Sequence, residues 1–270
     1  MRLLRRLRFL TDVLLPRYCA GCDKRMTVEE DYLCLSCMVK LPRTYLWRNP
    51  KSNALAKRYW GRTGDVEAEK VVAWLTYAQG TIVGHIVHSM KYYGDKPLAR
   101  YMGYLMAQEL RETEFFDDID FLLPVPLTRW RKLKRGYNQA EEIARGIEQV
   151  TGTEVRNDIL KRVKFSGSQT RLTEEDRMTN VEQAFRLRIK DPETLKGKHI
   201  LIIDDVITSS ATTRACAKQL AQIHEVRVSI LALATPQTES LRIENIKVHN
   251  EESIKNIDNG DHRSSDALSM

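Results

Sequence analysis

No apolar run reaches about 18 residues, the length a membrane-crossing helix needs, so no transmembrane span is expected. The motif G-x-x-x-x-G-K-[ST] is absent, which removes the phosphate cradle of a P-loop nucleotide hydrolase. Cysteine is scarce: five residues, four of them in two close pairs near the N-terminus, which is not the spread of a disulfide framework. The opening stretch Met1 to Pro16 has the charged front of a secretory signal. Its apolar core is short and broken by Asp12, and no small-x-small cleavage site follows. These absences predict a cytoplasmic protein. Beyond residue 235 the chain is polar, acidic and poor in aromatics, so 236–270 is expected to be a disordered tail.

What is present suffices for one substantial core and a small module: 270 residues, 42% hydrophobic. The net charge of +7 is uneven. Residues 1–60 carry 13 Lys and Arg against 5 Asp and Glu, whereas 236–270 carry 4 against 7. A basic end favours polyanions through counterion release, though basic surfaces are common. Leu3, Leu4, Leu7, Leu10 and Leu14 fall on one side of a basic amphipathic helix over 1–16, suited to docking on the module behind it or to touching a membrane.

Two C-x-x-C turns, Cys19/Cys22 and Cys34/Cys37, offer four thiolates for one tetrahedral Zn²⁺. Four cysteines leave no open coordination position, so the metal is expected to be structural. Disulfides and an iron–sulfur cluster are the alternatives. A module this small (17–45) depends on its metal to fold. Cys216, in a predicted helix with no base beside it, reads as a small buried residue.

The organising stretch is Lys198 to Thr213. His199 to Ile203 is apolar without helical period, as in a buried parallel strand. It ends in Asp204 and Asp205, and the hydroxyl-rich turn Thr208-Ser209-Ser210-Ala211-Thr212 then leads into a helix. Ligands of open α/β sheets bind where strands end, and free N–H groups at a helix start attract phosphate. The acids suit sugar hydroxyls, directly or through Mg²⁺. The combination fits a sugar phosphate. A receiver domain, a P-loop enzyme and a plain strand with a polar end compete. The late position disfavours the first, and the missing cradle disfavours the second.

Elsewhere 46–65 reads as an irregular connector and the main domain as 66–235. Strands are expected at Val71–Tyr77, Ile119–Pro126, Phe185–Ile189 and Val226–Ala234, and helices at Thr81–Tyr92, Pro97–Leu110 and Gln139–Val150, with Asp95 or Lys96 and Asn138 as caps. His85 and His88 read as structural. Arg129, Arg131, Lys132, Lys134 and Arg135 crowd the loop after Pro126, a cluster apt for pyrophosphate. Residues 158–185 read as a polar lid with Gly167 as its hinge, including a short helix from Glu174.

The segment Asp204 to Thr212 resembles the signature of type I phosphoribosyltransferases, which bind phosphoribosyl pyrophosphate (PRPP). That family usually has Gly, which permits positive φ, where this chain has Ser210. The double C-x-x-C, Pro124-Val125-Pro126, Arg135-Gly136-Tyr137-Asn138-Gln139, and the run with Arg162, Gln169, Arg177, Asn180 and Phe185 narrow the resemblance to the ComF family, over about residues 10–235. The resemblance implies a type I phosphoribosyltransferase-like parallel sheet flanked by helices, with a zinc-ribbon-like N-terminal module. It implies that Thr208, Ser209, Ser210, Ala211 and Thr212 hold the 5-phosphate of PRPP. Asp204 and Asp205, the candidate catalytic pair, would hold ribose or Mg²⁺. Lys134, Arg135 and Arg177 would hold pyrophosphate. It also implies service in natural transformation, with single-stranded DNA and a helicase-like DNA-uptake protein as partners. The alternative is an active phosphoribosyltransferase of nucleotide metabolism with no DNA role.

Overall fold

The computed structural model describes residues 15–59, 68–163 and 183–241. The amphipathic helix but for its last two residues, most of the lid with Arg177, and the tail beyond residue 241 lie outside them. A short helix α1 (Leu35–Val39) follows the second cysteine pair. Then come β1 (Val71–Tyr77), α2 (Ile82–Tyr92), α3 (Lys96–Arg111), β2 (Phe121–Pro124), α4 (Arg129–Arg135) and α5 (Gln139–Thr151). The chain continues with β3 (Glu154–Val155), β4 (Leu160–Arg162), β5 (Phe185–Leu187), β6 (His199–Val206), α6 (Ala211–Leu220) and β7 (Arg227–Pro236).

Five strands form one parallel sheet in the order β1-β7-β6-β2-β3. Its inner strands are apolar because both faces are covered: His199 to Ile203 and Val228 to Thr235 are buried throughout. From β2 the chain moves outward to β3, and from β6 it moves the other way to β7. The reversal opens a crevice between β2 and β6 at their C-terminal ends. Helices start where polar side chains take up free amides. Thr81 Oγ1 accepts from Gly84 N, and Asp95 Oδ1 accepts from Leu98 N with Pro97 in the first turn. α3 and α5 touch backbone to backbone: a Cβ on Gly103 would strike the Ile143 carbonyl, and one on Gly146 the Arg100 carbonyl.

Several expectations need correction. Asn138 does begin α5, but its side chain does not cap it; its Nδ2 donates to the Val125 carbonyl at 3.0 Å. The strand expected at Phe185–Ile189 is present over Phe185–Leu187. It pairs antiparallel with Leu160–Arg162, so part of the stretch read as lid is a ribbon. The crowded basic loop contains the helix α4, capped by Thr128 and ended by Gly136 at φ 77°. Of the stretch beyond residue 235 the described part is short: β7 ends at Pro236 and Leu241 is buried.

The stretch read as a connector is packed. Leu46, Trp47, Leu55, Ala56 and Tyr59 are buried. The preceding segment covers the open edge of β1. Thr44 N donates to the Trp74 carbonyl at 2.9 Å, Thr76 N to the Pro42 carbonyl at 2.8 Å, and Asn53 Nδ2 to the Val71 carbonyl at 2.9 Å. An edge strand left bare would invite pairing with other chains. Among the described residues no helix is long and apolar enough to cross a membrane.

Candidate functional site

β6 carries its chain direction through the acid pair, so Asp204 and Asp205 sit half-buried at the C-terminal rim of the sheet. Asp204 Oδ1 accepts from Asp205 N at 2.8 Å, and Asp205 Oδ1 accepts from Val206 N at 2.7 Å. Asp205 Oδ2 lies 3.0 Å from Lys91 Nζ at the end of α2. Burial, and then the neighbouring Asp205 carboxylate, push the Asp204 carboxyl up to about 8. Two acids this close resist double ionisation, which a cation or ribose hydroxyls would relieve.

The turn after them is held from below. Ile207 N donates to the Ala234 carbonyl at 3.0 Å, and Thr235 Oγ1 donates to the Ile207 carbonyl at 2.9 Å. Thr208 and Ser209 are exposed, and Ala211 and Thr212 are half-buried at the start of α6. Ser210 adopts φ 64°, ψ −6°, the left-handed conformation that glycine tolerates best. Its hydroxyl is buried beside the Tyr59 hydroxyl without hydrogen-bond geometry to it. Tyr59 instead reaches Thr213, with 2.7 Å between the hydroxyls, and Arg58 Nη1 donates to the Thr208 carbonyl at 3.1 Å. Sequence reasoning missed Arg58, Tyr59 and Lys91. Only the tertiary fold brings them to the turn and the acids.

Across the crevice, β2 ends in Pro124 and α4 follows. Lys91, Tyr92, Trp130, Arg131, Lys134 and Arg135 line a hollow of about 280 Å³. Lys91 therefore borders both the acid pair and the basic helix. Arg135 Nη1 donates to Gln139 Oε1 at 2.9 Å, and Lys134 Nζ lies 5.4 Å from the centre of the Trp130 ring. The residues after Arg135 anchor this helix. Tyr137 Oη donates to the Met90 carbonyl at 2.7 Å, and Gln139 Nε2 donates to it at 3.2 Å. Arg177, the third expected pyrophosphate ligand, lies outside the described residues.

The four cysteines converge, with their sulfurs within 4.8 Å of one another. Cys22 and Cys34 Sγ are 3.7 Å apart, close to the edge of about 3.8 Å of a tetrahedron with Zn–S bonds of about 2.3 Å. Cys19 Sγ accepts from Cys34 N at 3.2 Å and Gly21 N at 3.4 Å. Burial would raise the Cys19 thiol, but these and the Cys22 amide outweigh it and hold the thiol below its ordinary value. Amide donors on sulfur favour thiolate, so the donor set fits a closed metal site.

No family model matches the chain. Over 164 residues it is 28% identical to Competence protein F of Haemophilus influenzae, covering 57% of this chain and 71% of that protein. The chain is similar to Competence protein F over a little more than half of its length. It is also 26% identical over 151 residues to DNA utilization protein YhgH of Salmonella typhimurium, a stretch spanning 55% of this chain and 65% of that protein. Among solved structures it is similar to Hypoxanthine Phosphoribosyltransferase from Trypanosoma cruzi, with 10% identity and a TM-score of 0.33 over 53% of this chain and 79% of that one. The four-cysteine cluster and the parallel sheet flanked by helices agree with the fold the sequence led one to expect.

Proposed function

We propose that this protein binds PRPP with Mg²⁺ at the end of β6 and serves the handling of incoming single-stranded DNA in natural transformation. One observation carries the reading: an acid pair at a strand end is followed directly by a left-handed turn that opens a helix. The amides and hydroxyls of Thr208, Ser209, Ser210, Ala211 and Thr212 would take the 5-phosphate. Asp204 and Asp205 would hold the ribose hydroxyls or Mg²⁺, which supplies positive charge to the pyrophosphate. Lys134 and Arg135 stand across the crevice for the pyrophosphate itself. Asp205 lies where it would stabilise positive charge developing on a ribose whose pyrophosphate departs. The cysteine cluster would hold Zn²⁺ as a structural ion, and the protein would work in the cytoplasm.

The DNA part is supported by the surface of α4. Trp130 is 61% exposed and Leu133 84% exposed among five arginines and lysines, an arrangement suited to stacking bases while pairing phosphates. A helicase-like uptake protein is the proposed protein partner. Calorimetric titration of PRPP with Mg²⁺ tests the site. Wild type is expected to bind and Asp204→Ala/Asp205→Ala is expected to lose binding; a wild type that takes up no PRPP would sink the reading.

A further inference from the structure

At the rim opposite the acid pair, where the parallel strands begin, three metal-ligating side chains from distant parts of the chain meet. His199 opens β6, Glu69 precedes β1 and Asp118 precedes β2, and one ligand atom from each lies within 4.8 Å of the others. Two carboxylates and one imidazole are a donor set for a borderline divalent ion such as Zn²⁺.

The carboxylates are already paired. Arg227 Nε and Nη2 donate to Glu69 at 2.6 and 2.7 Å, and Nη2 also donates to Asp118 Oδ2 at 2.7 Å. Lys70 Nζ donates to the other oxygen, Asp118 Oδ1. Beside them Lys198 and Asp120 pair with each other. Carboxylates so matched are an ordinary surface ion-pair network and by themselves imply no ligand.

The imidazole does not fit that network. His199 is 0% exposed, and its Nε2 lies 2.8 Å from Ser229 Oγ. Its Nδ1 is buried without a hydrogen-bond partner and aims into the cluster, 3.2 Å from Asp118 Oδ2. A proton on Nδ1 has no aligned acceptor, and a bare lone pair there faces a carboxylate oxygen. Either state is costly in a buried place. A cation held between Nδ1 and the two carboxylates removes the conflict. The lone pair becomes a ligand, and Nε2–H donates to Ser229, the outer bond that fixes the tautomer of a metal-bound imidazole. Burial also keeps the ring uncharged at neutral pH, the form that coordinates. Arg227 is the cation that stands between the carboxylates. Its side chain is 43% exposed and enters from solvent, so it can withdraw as a metal arrives, while Lys70 stays on Oδ1.

We propose that Glu69, Asp118 and His199 form a binding site for a divalent transition-metal ion of the Zn²⁺ class, which exchanges with the Arg227 guanidinium. The ion clasps the starts of β1 and β6 to the segment that leads into β2, far from the four cysteines in sequence and chemistry.

Zinc content tests this. The full-length protein is dialysed against a zinc-buffered solution at neutral pH, and bound zinc is counted by atomic absorption. Zinc on the four cysteines is common to wild type and every variant below, so it cancels. Wild type is expected to hold one more zinc per chain than His199→Gln or Glu69→Gln. Asp204→Ala/Asp205→Ala is expected to keep that zinc. Ser229→Ala is expected to weaken it about ten- to hundredfold, the effect of losing an outer partner of a metal-bound imidazole. Arg227→Gln is expected to tighten it by removing the competing cation. Should the buried change His199→Gln prevent folding, Glu69→Gln decides, since that side chain is 32% exposed. Equal zinc in wild type and Glu69→Gln would overturn the site. Loss of the extra zinc in Asp204→Ala/Asp205→Ala would put the ion at the other rim and overturn it as well.

Discussion

Ser210 stands in a left-handed turn, and its side chain gains nothing there: the hydroxyl is buried without a hydrogen-bond partner. Left-handed backbone costs an L-residue about 1–2 kcal/mol. Ser210→Gly is therefore expected to stabilise the protein by about 1 kcal/mol and raise the melting temperature by roughly 2–4 °C. An unchanged or lowered midpoint in a thermal scan would contradict this. At the opposite end of the sheet His199 is buried, with Nε2 2.8 Å from Ser229 Oγ and Nδ1 3.2 Å from Asp118 Oδ2. Arg227, Glu69 and Lys70 complete the cluster. Burial holds the imidazole below its ordinary 6.5, the Asp118 charge opposing this and Arg227 adding to it. The folded state thus binds that proton more weakly than the unfolded chain, so stability is present above about pH 6.5 and declines as pH falls below it. Burial would raise the Asp118 carboxyl, but Lys70 and Arg227 outweigh it and hold it well below its ordinary 3.8, so a second loss sets in at lower pH. Melting temperatures measured from about pH 7.5 to about pH 2 should fall in this way, and His199→Gln should flatten the first part of the decline.

At the scale of elements, the α3–α5 contact is the least forgiving. Gly146 lies against the Arg100 carbonyl and within 2.6 Å, measured from a notional Cβ, of Tyr104 N. Backbone cannot swing aside as a side chain can, so the gain in helix propensity from alanine does not offset the clash. Gly146→Ala is expected to destabilise by about 2 kcal/mol in urea unfolding. Equal or greater stability would mean that the helices separate freely. Neither glycine announced this role in the sequence, because a helical period marks which side is apolar and not how near the neighbouring backbone comes. The strands β1, β6 and β7 were legible, since burial on both faces demands uninterrupted apolar runs. Of the ribbon β4–β5 the strand at Phe185 was legible, but β4 and the pairing were not: each strand has three residues and the two lie more than twenty residues apart in the chain. The motif Arg135 to Gln139 was legible as a motif, but its work is mostly anchoring, with Tyr137 and Gln139 tying α4 to the end of α2.

For the whole molecule, the N-terminal module and the sheet share one core. The Tyr32 and Tyr101 rings pack tilted at 45° with centroids 5.0 Å apart, and Arg43 Nε donates to Glu109, which also accepts from Trp74 Nε1 at 3.0 Å. A fragment beginning at residue 66 would expose the edge of β1 and the cavities left by Trp47, Leu55 and Tyr59. Such a fragment is expected to aggregate or to lose cooperative unfolding, as size-exclusion chromatography and a urea titration would reveal. A soluble, cooperatively folding fragment would show instead that the boundary near residue 66 separates independent units.

Features that depend on local order were written in the chain. Four cysteines at two close spacings must bend into facing turns, an apolar run without helical period must be a covered strand, and acids directly before a hydroxyl-rich helix start must lie at its phosphate-attracting end. Contacts between distant segments came only with the folded molecule. It brought Lys91 to Asp205, and Arg58 and Tyr59 to the turn. Periodicity and spacing encode which side of an element is buried. Which element covers it is set by closure of the sheet and by chain entropy spent over long sequence separations.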